Sequence, residues 1–365
     1  MIYLDYQATT PLAPEAREAM LPWLGGAETP ISGSVGGFGN PHSAHRAGRM
    51  AAAAVEVARE QVAALLPPGG RVIFTSGATE ALNLALFGVN ARQVAVSAIE
   101  HAAVLDTAKA LGMPTQMLPV NAAGLVDAGA EIAPGTDLVA VMQVNNEIGT
   151  IQPIAAIAER AHATGALLLC DAVQGAGKLS APAGADMIAI SAHKLHGPKG
   201  IGALWLRDGI ALRPVMHGGA QEGGLRSGTL SPALCAGFGA AASLCTSLCK
   251  NDGEHVQMLW ETAVAALPGW ILNGSAAQRW HGNLNIRRDG VDVARLMSDC
   301  RNLAFSAGSA CASGSGRPSH VLRALGLSDT QVKSSIRIGF GRYTKITEIE
   351  DACAEIRAAT AAQGE

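Results

Sequence analysis

The chain has 365 residues, 48% of them hydrophobic, with a net charge of −3 and a pI near 6.4. It is long enough for a large domain of about 250 residues and a smaller one of roughly 100, each with a buried core. The near-neutral charge balance gives no electrostatic basis for binding nucleic acid directly or an acidic membrane surface.

The N-terminus, MIYLDYQATT, has no basic region followed by an apolar core, so no secretory signal is expected. Seven scattered cysteines without a C-x-x-C pair read as reduced thiols in a cytoplasmic protein. After a Gly- and Pro-rich opening, residues 43–66 read as a helix that stops at Pro67-Pro68-Gly69-Gly70. Strand 71–77 then leads into helix 79–90, strand 93–99 into helix 101–112, and strand 138–144 into helix 154–165. Strands 166–171, 186–194 and 201–207 follow. Short apolar strands alternating with helices predict an α/β fold, with a mostly parallel sheet covered on both faces.

Residues 227–249 carry no charge and are long enough to cross a bilayer. Their Ala, Gly, Ser, Thr and Cys content, with Pro232 near the start, fits a buried linking helix over about 232–250 better, and no membrane span is expected. Beyond it the pattern changes to a smaller α+β region ending in a helix over 346–362.

Ligands of an open parallel sheet gather at the carboxyl ends of its strands. Four polar clusters fall there: Ser76-Gly77-Ala78-Thr79-Glu80, Asn145-Asn146-Glu147, Asp171 with Gln174, and Ser191 with His193 and Lys194. Gly77 would allow a tight turn into a helix whose first amides hold a phosphate, with Thr79 adding a hydroxyl. Asp171 ends an apolar strand, where an isolated carboxylate needs a cationic partner such as a protonated ring nitrogen. Lys194, partly dehydrated, is suited to a covalent bond with a carbonyl. Singly these are ordinary caps and polar turns. In this order and topology they describe a pyridoxal 5'-phosphate site.

The motifs themselves resemble a known family. LDYQATTP (4–11), GNPHSAHRAGR (39–49), FTSGATEALNLAL (74–86), EHAAV (100–104), VNNEIGTIQP (144–153) and CDAVQGAGK (170–178) occur in order. SAHKLHGPKGIGAL (191–204), GGAQEGGLRSGTLSP (218–232), FSAGSACASGS (305–315), SHVLRALGL (319–327) and SSIRIGFGR (334–342) complete the set. Together they resemble the cysteine desulfurases of the nitrogen-fixation and housekeeping iron–sulfur type, within the class V aminotransferase family of fold-type-I pyridoxal-phosphate enzymes. The resemblance implies a seven-stranded-type sheet in a large cofactor domain (13–250) and a small domain (251–365) carrying a catalytic cysteine loop. An N-terminal segment (1–12) would pack with the small domain.

It also implies roles. Lys194 holds the cofactor, Asp171 pairs with its ring nitrogen, and Gln174 binds its hydroxyl. His101 stacks on the ring and is a candidate proton carrier. Ala78 (through its backbone), Thr79, Ser191 and His193 hold the phosphate, and Thr229 reaches the phosphate of a neighbouring subunit, implying a homodimer. Asn146, placed with both cofactor and substrate, and Arg337 clamp the carboxylate of L-cysteine. Cys311, in a run of Gly, Ala and Ser that predicts a mobile loop, takes the sulfur as a persulfide and leaves alanine. An acceptor protein, an iron–sulfur scaffold or a sulfur relay, would receive the sulfur. Selenocysteine lyase, cysteine-sulfinate lyase, aminotransferase and non-catalytic cofactor-binding chemistry are the alternatives; Cys311 favours the desulfurase.

The other six cysteines are expected in the core. Cys245 and Cys249 lack a His or carboxylate at ligand spacing, and Gly175-Ala176-Gly177-Lys178 lacks the first glycine of a P-loop, so neither a metal nor a nucleotide is expected there. Asn40, His42 and His45 are likewise read as the rim of the site, without metal.

Overall fold

The computed structural model describes residues 1–25, 37–308 and 319–364. Cys311 and the small-residue run around it lie outside the described residues.

The first part of the chain contains strands β1 (Ile2–Tyr3), β2 (Gly70–Thr75), β3 (Val94–Ser97), β4 (Thr115–Leu118), β5 (Leu138–Ala140), β6 (Leu167–Asp171), β7 (Met187–Ser191) and β8 (Gly202–Arg207). Its helices are α1 (Pro14–Met20), α2 (Arg46–Ala63), α3 (Ala78–Gly88), α4 (Ala102–Ala110), α5 (Ile154–Ala163) and α6 (Pro232–Ala266). Seven strands form one sheet in the order β2-β8-β7-β6-β5-β3-β4. β4, β3, β5, β6 and β7 pair in parallel, whereas β8 is antiparallel to both β7 and β2. β2 therefore runs in the same direction as β7, and its carboxyl end joins theirs at one edge.

The apolar runs are explained by burial on both faces. Along β6, Leu168 and Cys170 pack with α2, α5 and α6, while Leu169 packs on the opposite face with α3 and α4. The fold class is thus the one expected from sequence. Most strands are shorter than the apolar runs: residues 141–144, for example, stay buried beyond the regular strand β5, with Val141 N and Gln143 N still donating to β6 carbonyls. β4 was not expected: it is an edge strand with half-exposed residues and so carries no apolar run.

The linking helix also corrects the expectation. α6 is 35 residues long and passes through Lys250-Asn251-Asp252-Gly253, which reads as a stop. Tertiary contacts override that signal. Asp252 pairs with Arg342 at 2.6 Å, and Val256, Leu259 and Ala263 are buried in a separate core. The expected boundary at 250 therefore falls inside one continuous helix. α6 is long and apolar enough to cross a bilayer, but its first half is packed against α1 and α2, with Cys235, Phe238, Ala241, Ala242 and Cys245 in the main core.

The rest of the chain adds β9 (Ile271–Leu272), β10 (Asn283–Arg287), α7 (Val293–Asp299), β11 (Leu303–Ala304), β12 (Ser306–Ala307), α8 (His320–Ala324), α9 (Asp329–Lys333), β13 (Ser335–Gly339) and α10 (Ile346–Ala361). A four-stranded antiparallel sheet runs β12-β13-β10-β9, and β11 pairs in parallel with β1. Leu4 is buried in the core of this region with Leu284, Ile338 and Ile356.

Of the six described cysteines, Cys170, Cys235, Cys245, Cys300 and Cys353 are buried as expected. Cys249 is exposed, one turn beyond Cys245, where α6 emerges from the main core.

Candidate active site

A cavity of about 500 Å³ opens where the carboxyl ends of β2, β5, β6 and β7 meet. Its lining brings together Ala78, Thr79, His101, Asn146, Asp171, Gln174, Ser191, His193, Lys194 and Arg337 from separate elements. Of the described residues expected to hold cofactor or substrate, Thr229 alone does not line it; Thr229 is exposed.

At the β2 end, α3 begins after Gly77 with no side-chain cap among the described residues, so its first amides point out of the helix. Gly77 is extended, with φ 162°, a conformation any residue adopts, so its backbone geometry does not itself call for glycine. A Cβ on Gly77 would meet no atom of the described residues within 4 Å, which leaves space beside it for a ligand. Gly202 serves the turn from beneath, since a Cβ there would lie 2.8 Å from the Gly77 Cα. Glu80 does not fill the helix end: it accepts from Ser76 N and from Arg226 Nε, both at 2.6 Å.

Asp171 ends β6 and is buried, its Oδ1 accepting from Val173 N at 2.9 Å. Burial pushes its carboxyl above the ordinary range, against the pull of that amide, His101 and Lys194. A cation against its outer oxygen would reverse the shift. Gln174 donates from Nε2 to the Gln7 carbonyl at 3.0 Å, while its buried Oε1 has no partner among the described residues.

Lys194 follows β7 in a short 3-10 turn, and its Nζ donates to the carbonyls of Gln7 and Ala8 at 2.5 and 2.9 Å. His193 Nδ1 lies 3.1 Å from Thr9 Oγ1. Burial, then the positive charges of Lys194, Lys199 and Lys178, lower its pKa to about 4, so the ring is neutral near pH 7. His101 caps α4: its Nδ1 accepts from Ala103 N at 3.1 Å, which leaves Nε2 as the proton-carrying atom of the neutral ring.

Arg337, on β13, is 1% exposed and donates to Asp5 Oδ1 at 2.6 Å and to the Asn146 carbonyl at 3.0 Å. Asp5, Gln7 and Lys199 carry no local signal that marks them as site residues. Gln7 and Lys199 line the cavity, and Asp5 reaches it through Arg337. His42, read as rim, instead lines a second cavity with Arg59, Arg71 and Glu222.

The residues fit pyridoxal phosphate on their own terms. A buried acid needs a cation, a buried amide oxygen needs a donor, and an uncapped helix end beside open space needs an anion.

The Aminotransferase class-V family model matches residues 2–351. The chain belongs to this family, on its cysteine desulfurase branch. It is 40% identical to a cysteine desulfurase of Rickettsia bellii, with 96% of this chain and 88% of the relative covered. It is 41% identical to a mitosomal cysteine desulfurase of Encephalitozoon cuniculi, covering 96% and 84%. The family thus spans bacterial and organellar settings. A solved structure titled NifS-like protein superposes with a TM-score of 0.88 at 30% identity, covering 98% of both chains.

Proposed function

We propose that this protein is a pyridoxal-phosphate-dependent cysteine desulfurase in which Cys311 receives the sulfur. The carrying observation is the convergence of Lys194, Asp171, Gln174, the open end of α3 and Arg337 on one cavity. Lys194 would hold the cofactor aldehyde, Asp171 its ring nitrogen and Gln174 its hydroxyl. His101 would stack on the ring, and Ala78 N, Thr79, Ser191 and His193 would take the phosphate. Bound there, the cofactor supplies an electron sink for the substrate's carbon skeleton.

The chain's own groups do the rest. Arg337 and Asn146 orient the substrate carboxylate, and His101 Nε2 carries a proton. Cys311 attacks the substrate sulfur: the S–S bond forms as the C–S bond breaks, the electron pair stays with carbon, and a proton completes the methyl group. L-cysteine and the Cys311 thiol thereby become L-alanine and a Cys311 persulfide, with no external oxidant or reductant.

We also infer a homodimer in which Thr229 reaches the partner's phosphate. Its exposure away from its own cavity supports this. The persulfide would pass to an iron–sulfur scaffold or a sulfur-relay protein. The test is purified protein with L-cysteine, followed by mass spectrometry. Stoichiometric alanine with a persulfide on Cys311 is expected; bound cofactor with neither product would assign another class V activity.

A further inference from the structure

We infer that Asp5 is a positioning residue for carboxylate recognition, acting through Arg337. The inference rests on Arg337 as the partner of the substrate carboxylate. Arg337 is a long side chain buried at the cavity wall, and its Nε has no partner among the described residues. Two contacts fix its head: NH2 to Asp5 Oδ1 at 2.6 Å, and NH1 to the Asn146 carbonyl at 3.0 Å. A third, to Ser306 Oγ at 3.4 Å, is long. A guanidinium offers five donors, so these contacts leave N–H groups for an entering carboxylate while fixing the plane from which they project.

Asp5 is itself held. Its carbonyl accepts from Ala8 N at 2.9 Å and from the Tyr3 hydroxyl at 3.1 Å, and residue 5 bridges in parallel to Gly339 on β13. The turn it opens presents the Gln7 and Ala8 carbonyls to Lys194. One short turn therefore holds the cofactor lysine with its backbone and the substrate arginine with its first side chain. Glu147, a buried carboxylate in this neighbourhood, is engaged by Ser319 Oγ at 2.5 Å. Without Asp5, the charged head must be ordered by the substrate itself, which weakens substrate binding in the ground and transition states alike.

The experiment compares KM and kcat for L-cysteine in holoenzyme carrying Asp5→Ala, Asp5→Asn, Arg337→Ala and the Asp5→Ala/Arg337→Ala pair. Asp5→Ala should raise KM about tenfold with kcat nearly unchanged. Asp5→Asn, which keeps an oxygen for NH2, should hold the rise below about threefold. In the Arg337→Ala background, Asp5→Ala should add nothing to KM. If Asp5→Ala does not fold, Asp5→Ser, too short to keep the 2.6 Å contact, replaces it in the series.

An unchanged KM in Asp5→Ala would overturn the inference, as would an equal rise in the Arg337→Ala background. A KM below wild type in Asp5→Asn would also overturn it, because Asp5 would then be competing with the substrate. A wild-type protein that makes no alanine would fail the desulfurase reading itself, before any variant is compared.

Discussion

Lys194 reaches across 187 positions of sequence to donate from Nζ to the main-chain carbonyl of Gln7 at 2.5 Å. The same carbonyl accepts from Gln174 Nε2, so a single backbone oxygen joins two groups proposed to hold the cofactor. Further along, Thr10 Oγ1 donates to the His193 carbonyl at 2.9 Å and accepts from His196 N at 2.8 Å. Residues 5–10 thus form a strap across the 3-10 turn that carries Lys194. The strap fixes the approach of the amine without blocking it, since carbonyl contacts of this kind exchange readily for a covalent bond.

Replacing Lys194 with Ala removes the only proposed point of covalent attachment. The variant should lose the yellow absorbance that borohydride traps, read by spectrophotometry on protein reconstituted with cofactor. Colour retained and fixed by borohydride to another residue would reassign the lysine.

Cys311→Ser isolates sulfur capture from cofactor binding. The variant should keep the wild-type cofactor absorbance yet fall at least a hundredfold in sulfide released with a thiol reductant, about 2.7 kcal/mol in barrier. Normal turnover would take Cys311 out of the mechanism.

The two halves of the site differ in how far the sequence discloses them. Asp171 was legible because an apolar strand ending in an acid has few physical explanations, and the clusters after β2 and β7 share its edge by topology. Asp5 and Gln7 were legible only as letters of the motif LDYQATTP, not by their contacts: they sit in an irregular opening, and their partners are 332 and 187 positions away. No local pattern encodes such a contact. The same limit hid the length of α6, which continues past Gly253 where Arg342 holds Asp252 and Val256, Leu259 and Ala263 are buried. β4 escaped because its sheet-edge residues need not be apolar.

Arg337→Ala would remove the proposed charge-assisted hydrogen bonds to the substrate carboxylate. These are worth about 2 kcal/mol, so KM for L-cysteine should rise about 30-fold, with a smaller change in kcat. Steady-state kinetics at fixed cofactor occupancy decide it. An unchanged KM would move the carboxylate clamp to another residue.

Gly239 on α6 lies against α2, where an added Cβ would sit 2.8 Å from the Ala58 Cα and 3.0 Å from its Cβ. Alanine normally gains about 1 kcal/mol over glycine inside a helix. Crowding a backbone atom costs about 1–3 kcal/mol, so the crowding term should win. Gly239→Ala should unfold at lower denaturant than wild type; an increase in stability would show that α2 can shift away freely.

Glu100 supplies a pH dependence whose sign can be worked out. Its carboxyl is 1% exposed; Oε1 accepts from Ser97 Oγ at 2.5 Å and from Met142 N at 2.8 Å, and Oε2 has no partner among the described residues. Burial pushes its pKa up to about 8, with the nearby Asp171 charge adding to the shift. Between the ordinary carboxylate range and pH 8, the unfolded chain has lost this proton and the folded chain keeps it. Glu100 therefore favours the fold at low pH, and that contribution drains away as pH rises toward 8, by at most about 1.4 kcal/mol per pH unit. Above pH 8 both states are ionised and the loss stops growing. Glu100→Gln keeps an oxygen for Ser97 and Met142 but does not titrate. Denaturant melts of the apoprotein should show the stability difference, variant minus wild type, growing from pH 5 to pH 8 and then levelling. A difference independent of pH would mean that Glu100 is ionised in the folded protein throughout, and that Asp171 carries its charge beside a second buried carboxylate.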